Sequence, residues 1–385
     1  MMKLLCSGPK FFVCLFLVLA SSIAFAQVTV GCPGGTPGTF NSLNNAIAAS
    51  PDHTTFLVSG TCTENIVVQK RNDLNFFGNP TATIQPADAT IEVMSINSSQ
   101  NISFNNGFVI TGGQGIAITI SSSVHLSGLT VQNSGGLGIT AVDSVVHLLS
   151  SSITSNTRSG IVVTGGAFYL DGNVNVSNNG RLGISANSGH LTMSDGLGPN
   201  IVSHNGLAGV QIFGIGQGDF SGDNELTNNA GGNAGLLVFN QSGVFITNGL
   251  INGNTGTGVT CAGNSHCEFS GTQINSNTLG GIQIVQHADG AFDGAVTISG
   301  NTGTGVLVDQ SSSLVSLGGN TISNNTGDGL VLNTISAMNF LGTDVITATT
   351  GNLALNCNNG SLVEGDVSTY KPKKCGAQFQ VVPIH

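Results

Sequence analysis

Hydrophobic positions along this 385-residue chain recur in register over most of its length. Ten glycines are each followed at once by Ile, Val or Leu: Gly115, Gly138, Gly160, Gly183, Gly209, Gly235, Gly258, Gly281, Gly305 and Gly329. Successive members stand 22 to 26 residues apart. A fixed period in this range marks a solenoid, whose repeats bury their apolar faces against one another. Two residues past the aliphatic position runs a second apolar column, from Ile118 through Val163, Ile212 and Cys261 to Leu332. A period of two puts both columns on one side of a short strand, facing inward. A third column is expected from Leu126, Leu148, Leu170, Met193, Phe220, Ile246, Phe269, Phe292, Leu317 and Phe340. A fourth lies seven residues before the glycine, from Val131 to Ile322, and is broken in the Gly235 coil by Asn228.

Turn formers separate these columns. Between Ile298 and Gly319 three short strands alternate with Gly-rich and polar turns, and no helical period is present. The pattern predicts an all-β, single-stranded parallel β-helix of about 12 coils of 22–26 residues, with three short strands per coil. Four residues before the glycine stand Asn156, Asn179, Asn205, Asn254, Asn277, Asn301 and Asn325. Repetition in every coil assigns them to hydrogen bonding up and down the stack rather than to chemistry.

The ends depart from the repeat. Over Phe40 to Ser50, the residues Phe40, Leu43, Ala46 and Ile47 share one helical face, which predicts a short amphipathic helix capping the open first coil. Lys3, Lys10, the apolar run Phe11 to Phe25 and Ala24-Phe25-Ala26 read as a cleavable signal peptide, too short to span a membrane comfortably. The expected organisation is a signal peptide over 1–26, an N-terminal cap over 27–55, the β-helix over 56–342, and a last coil with a C-terminal cap over 343–385. Lys371 to Lys374 and Phe379 to Ile384 are expected to close the far end. The expected compartment is secreted, periplasmic or extracellular, with no membrane span after cleavage.

Export gives the cysteines a meaning. Cys32, Cys62, Cys261, Cys267, Cys357 and Cys375 remain after cleavage, an even number that suggests disulfides paired in sequence order. For Cys261 and Cys267, two buried thiols are the alternative. No CxxC spacing supports zinc. Removing Lys3 and Lys10 from nine basic residues leaves seven against nineteen acidic ones, a balance that repels nucleic acid and anionic membranes.

With these residues in view, the chain resembles right-handed parallel β-helix proteins of the pectate-lyase-like superfamily. The repeats carry the resemblance from about 56 to 355, together with SLNNAIAAS, FLVSGTCTENIVV and LNFFGNPTATI near the start. It implies the fold, and polysaccharide as a partner class. It alone allows calcium; no cofactor is otherwise evident. The NTD, DD, GHG and RIK motifs of polygalacturonases, the DPHD-type motif of mannuronan epimerases and the GGxGxDxUx calcium repeat are not matched. Fold by itself does not fix activity.

One outward column precedes the third apolar one. It reads His125, His147, Tyr169, Thr192, Asp219, Phe245, Glu268, Ala291, Ser316 and Asn339, with Asp171 two residues beyond Tyr169. His147, Asp171 and Tyr169 are the candidate catalytic residues, since imidazole and carboxylate exchange protons and Tyr169 offers a ring to a sugar. His125 and Asp219 are candidate substrate-binding residues on the same strip. Arg158 and Arg181, one coil apart, are candidate ligands for sugar carboxylates. No metal site is assigned: His125 over His147 lacks a third ligand. The same column also reads as an ordinary solvated face, and the arginines as exposed turn residues. Two functions remain: an exported protein that binds or processes an extracellular polysaccharide or cell-surface glycan, as a lyase or hydrolase if an enzyme, and a non-catalytic surface, adhesion or structural β-helix. Oligomeric state is open.

Overall fold

A computed structural model describes residues 26–375 apart from Ser121 and Thr350. The expected signal peptide (save Ala26) and the expected closing segment Phe379 to Ile384 lie outside the described residues. The chain winds as a parallel β-solenoid of about 13 turns, close to the 12 read from the repeats. Each coil has three faces. In one coil the first face is Val145–Leu149, the second Ser152–Thr154 and the third Ile161–Thr164. Each strand pairs in parallel and in register with the equivalent strands of the coils on either side. The third face forms a 14-stranded sheet. The first two join in a 24-stranded sheet, because strands such as Asn72–Gln85 and Gln100–Thr111 run across the corner through a register shift. Later coils break at that corner.

The inward columns meet in one continuous core. Ile139, Ile161, Ile184 and Val210 lie in register and are buried. Phe56, Phe76 and Phe104 stack with ring centroids 4.8 and 4.3 Å apart. One expected position is corrected. Ser316, not Leu317, is in register with Phe292 and Phe340 and is fully buried, while Leu317 is 52% exposed. The inward Ser316 hydroxyl donates to Asp344 at 2.6 Å and accepts from Asn320 Nδ2 at 2.8 Å, so a polar corner replaces an apolar side chain there.

The columnar glycine has a steric cause. Past Gly115, it lacks a positive φ. At Gly258 a Cβ would stand 2.4 Å from Ile274 Cγ2, 2.7 Å from the Gly281 carbonyl oxygen and 2.8 Å from Asn277 Nδ2. The next coil therefore approaches too closely for any side chain, with its aliphatic and asparagine columns against the glycine.

The asparagines form the expected ladder. Asn254 Nδ2 donates to Asn277 Oδ1 at 2.9 Å and to the Leu226 carbonyl at 3.0 Å, and the pattern repeats from Asn156 to Asn325. The apparent break in the Gly235 coil closes. Asn229 continues the ladder between Asn205 and Asn254, and Leu226 takes the inward slot between Val202 and Ile251. The turn after Asn229 is longer, which moved the count from the glycine. Shorter polar ladders line the other corners, Ser99–Ser122–Ser144 at one and Asn200–Asn224 at the other.

The helix is Leu43–Ala49, with Ser42 as N-cap and Leu43, Ala46 and Ile47 buried. Phe40 lies outside it and bridges Val30. Neighbouring coils complement both ends of the helix. The Glu64 carboxylate accepts from the Leu43 and Asn44 amides at 2.8 and 3.1 Å. Arg71 donates to the Ile47 and Ser50 carbonyls and pairs with Asp52 at 2.8 Å. A strand not expected from sequence, Ala26–Gly31, pairs along Thr54–Thr63. Disulfides Cys32–Cys62, Cys261–Cys267 and Cys357–Cys375 are all present. At the far end Lys373–Lys374 adds the last strand to the third face, beside Leu355–Cys357. Among the described residues no helix is long and apolar enough to cross a membrane.

Candidate functional site

The candidate strip lies on the first face. Parallel, in-register pairing sets His125, His147 and Tyr169 directly over one another on three successive coils. Alternation along each strand points them outward, since Leu126, Leu148 and Leu170 point in. The rings stack nearly flat: His125 on His147 at 4.8 Å, and His147 on Tyr169 at 4.4 Å. His190, one coil further, is tilted against Tyr169 at 6.4 Å. One face of Tyr169 is covered by His147, so along the stack the row offers ring edges with their nitrogen and hydroxyl groups.

Asp171 stands two residues past Tyr169 and reaches the preceding coil. Its Oδ2 lies 2.8 Å from His147 Nδ1, with both side chains about one-third exposed. A proton on Nδ1 donates to Asp171 and leaves Nε2 as the free nitrogen. Burial, and then the neighbouring His147, hold the His125 imidazole below its usual range, with Asp171 pulling the other way. Asp219, two coils beyond Tyr169, pairs with His190 at 3.3 Å. His125, His147, Tyr169, Asp171 and Asp219 thus share one face.

Arg158 and Arg181 do not join them. They occupy the turn between the second and third faces, on the edge opposite the strip, where the Arg181 amide donates to the Arg158 carbonyl at 3.1 Å. Both are exposed. Two histidines were missed by the single-column reading. His190 and His266 stand two residues before Thr192 and Glu268, and a parallel column offset by two would have found them.

The face continues beyond Asp219. Phe245 is 38% exposed, and His266 Nε2 lies 3.5 Å from Glu268. A hydrogen bond with Asp293, then burial and the Asp293 charge, push the Glu268 carboxyl up, against an opposing pull from His266. A shallow depression of about 300 Å³ is lined by Gln217, Asp219, Gln241, Phe245, His266 and Glu268, among others. Another, of about 250 Å³, flanks the start of the strip at Ser123, Asp143 and Val145.

Calcium takes six to eight oxygen ligands. Among the described residues the one convergent group of three potential ligands is Cys32, Cys62 and Glu64. Two of these are a disulfide and the third caps the helix, so this group is not a carboxylate cage for calcium.

Residues 234–374 match the family model for the right handed beta helix region. The A-module of the Azotobacter vinelandii mannuronan C-5 epimerase AlgE6 superposes with a TM-score of 0.51 at 15% identity, over 83% of this chain and 93% of that one. The AlgE4 A-module from the same organism gives 0.51 at 14%, over 89% and 94%. A mutant of the periplasmic alginate epimerase AlgG gives 0.52 at 14%, over 80% and 82%. No curated protein sequence matches the chain significantly. Strand order, sheet pairing and these likenesses agree on the fold: the chain is a right-handed parallel β-helix.

Proposed function

We propose that this is an exported protein that binds and processes an extracellular polysaccharide on its first face, with His147 as the acid–base group and Asp171 orienting it. The observation that carries the reading is the 2.8 Å contact between His147 Nδ1 and Asp171 on an exposed strip. An imidazole so held presents Nε2 to solvent, where it takes a proton when neutral and gives one when charged. His125 and Tyr169 fix its plane from both sides. The superposing proteins are named for action on mannuronan and alginate, which supports a polysaccharide as the partner class.

The test is turnover of a polysaccharide panel by the mature chain, following both unsaturated products and new reducing ends. His147→Ala and Asp171→Asn are each expected to lower the rate by about 10²-fold or more. Full activity in both variants would sink the assignment. The surface favours a second reading, a non-catalytic glycan-binding or adhesion protein: the two depressions on this face are shallow, at about 300 and 250 Å³. Binding without turnover on every polymer would select it.

A further inference from the structure

The charge of the first face narrows the ligand. Between Asn72 and Tyr370 the only Lys or Arg residues are Arg158 and Arg181, and both stand on the opposite edge. The first face instead carries Asp171, Asp219, Glu268, Asp289 and Asp293. Three of its four histidines, His147, His190 and His266, lie against a carboxylate. The fourth, His125, is held toward its neutral form by burial and by His147. Carboxylate-bearing sugars are recognised by guanidinium or ammonium groups, which pair with them in charge and geometry. A polyuronate laid on this face between His125 and Phe245 would meet like charge with no such partner, the exposed Lys70 standing before the first-face strand Asn72–Gln85, ahead of the His125 coil.

What the face does offer suits hydroxyl groups. The stacked rings expose their edges, whose ring nitrogens and phenol hydroxyl serve as hydrogen-bond donors and acceptors. The depression beyond them combines the Gln217, Gln241 and Asn264 amides with the partly exposed Phe245 ring. Amides bind hydroxyls in both directions, and an aromatic ring takes the apolar side of a pyranose. The features follow one another along the solenoid axis, from the ring row to the depression, in line with coils that rise by a constant step.

We propose that the ligand of this face is an uncharged glycan, lying along the solenoid axis from His125 to the depression at Phe245, and that polyuronates are excluded. This rests on the polysaccharide reading above. It also separates this chain from proteins named for alginate, with which it shares a fold. An uncharged glycan has no carboxyl beside the linkage to acidify a C–H bond, so β-elimination is closed to it. If turnover occurs it is hydrolysis: the glycosidic C–O bond breaks, the water oxygen bonds to the anomeric carbon and the water proton goes to the departing oxygen.

The experiment is binding of the mature chain to immobilised uncharged glycans (glucans, mannans, xylans, galactans) and to polygalacturonate and polymannuronate, with calcium and with chelator. The expected result is retention on at least one uncharged glycan and none on either polyuronate. Phe245→Ala and Gln241→Ala should each weaken that retention about 10-fold, the loss of one good contact. Both side chains face outward, so the fold should survive, and circular dichroism checks it. Binding to a polyuronate but to no uncharged glycan, with or without calcium, overturns this inference and leaves the polysaccharide reading standing. Binding to neither class overturns both. Uncharged-glycan binding untouched by either variant overturns the placement on this face.

Discussion

The Glu268 and Asp293 carboxyl groups lie side by side, an arrangement favoured when one of them keeps a proton. Glu268 is accordingly raised above its ordinary 4.5. A carboxyl raised in the folded state contributes stability that is present below the unfolded value and is lost as pH climbs through the folded one. Melting temperature should therefore carry a downward component as pH climbs above 4.5. Glu268→Gln supplies a permanent donor and should melt higher than the parent at pH 7, with the gap closing at about pH 4. Equal melting at both pH values would mean that the pair shares no proton. At this scale the sequence was informative wherever period two applied: His125, His147, Tyr169 and Asp219 fall on one outward strip as their spacing implied. It was silent on which ring face stays free, because that depends on χ angles. It misplaced Ser316 and Leu317 because a one-residue slip in a strand exchanges inside for outside.

The repeating element is a coil whose three corners each carry buried polar side chains bonded to the next coil. The glycine column is the tightest point. Gly258→Ala should destabilise by about 1–3 kcal/mol, the usual cost of an extra methylene in a packed interior, although Ala itself suits the backbone. A urea midpoint unchanged from the parent would show that Ile274 and Asn277 move aside at no cost. The coil pattern was legible because every column is enforced by its neighbours above and below. The asparagine at 229 was not, because the spacing was counted from a glycine across a turn of variable length. Loop length drifts freely at the surface, whereas the ladder in the interior cannot skip a step.

The whole molecule is quasi-one-dimensional, so its ends decide where it opens first. The helix Leu43–Ala49 covers the first coils and is held at one end by Glu64 and at the other by Arg71. Glu64→Ala should raise amide exchange over the strands Ala26–Gly31 and Thr54–Thr63 by about 5-fold or more, the loss of roughly 1 kcal/mol at a helix start. Exchange around Thr297–Ser299 should not change. A uniform increase along the chain would contradict a stability summed coil by coil. The helix itself was readable from its apolar face. Its anchors were not, because Glu64 and Arg71 come from coils that lie beside it only after folding. The candidate site shares that limit: sequence set the strip on one side, and only the winding of the coil put the two arginines on the other.

The parallel pairing also has a mechanical consequence. The hydrogen bonds between coils run along the solenoid axis, so a pull on the two ends loads them one coil at a time, as in unzipping. Extension should advance in steps of one repeat, about 8 nm of contour for roughly 24 residues at ~3.5 Å each. Cys32–Cys62 and Cys357–Cys375 lock longer segments at the two ends; between them, Cys261–Cys267 holds six residues of separation inside a covalent loop, so the step of that coil should be shorter by about 2 nm. Reduction should restore the full length, and the position of that short step in a force trace would tell from which end the molecule comes undone.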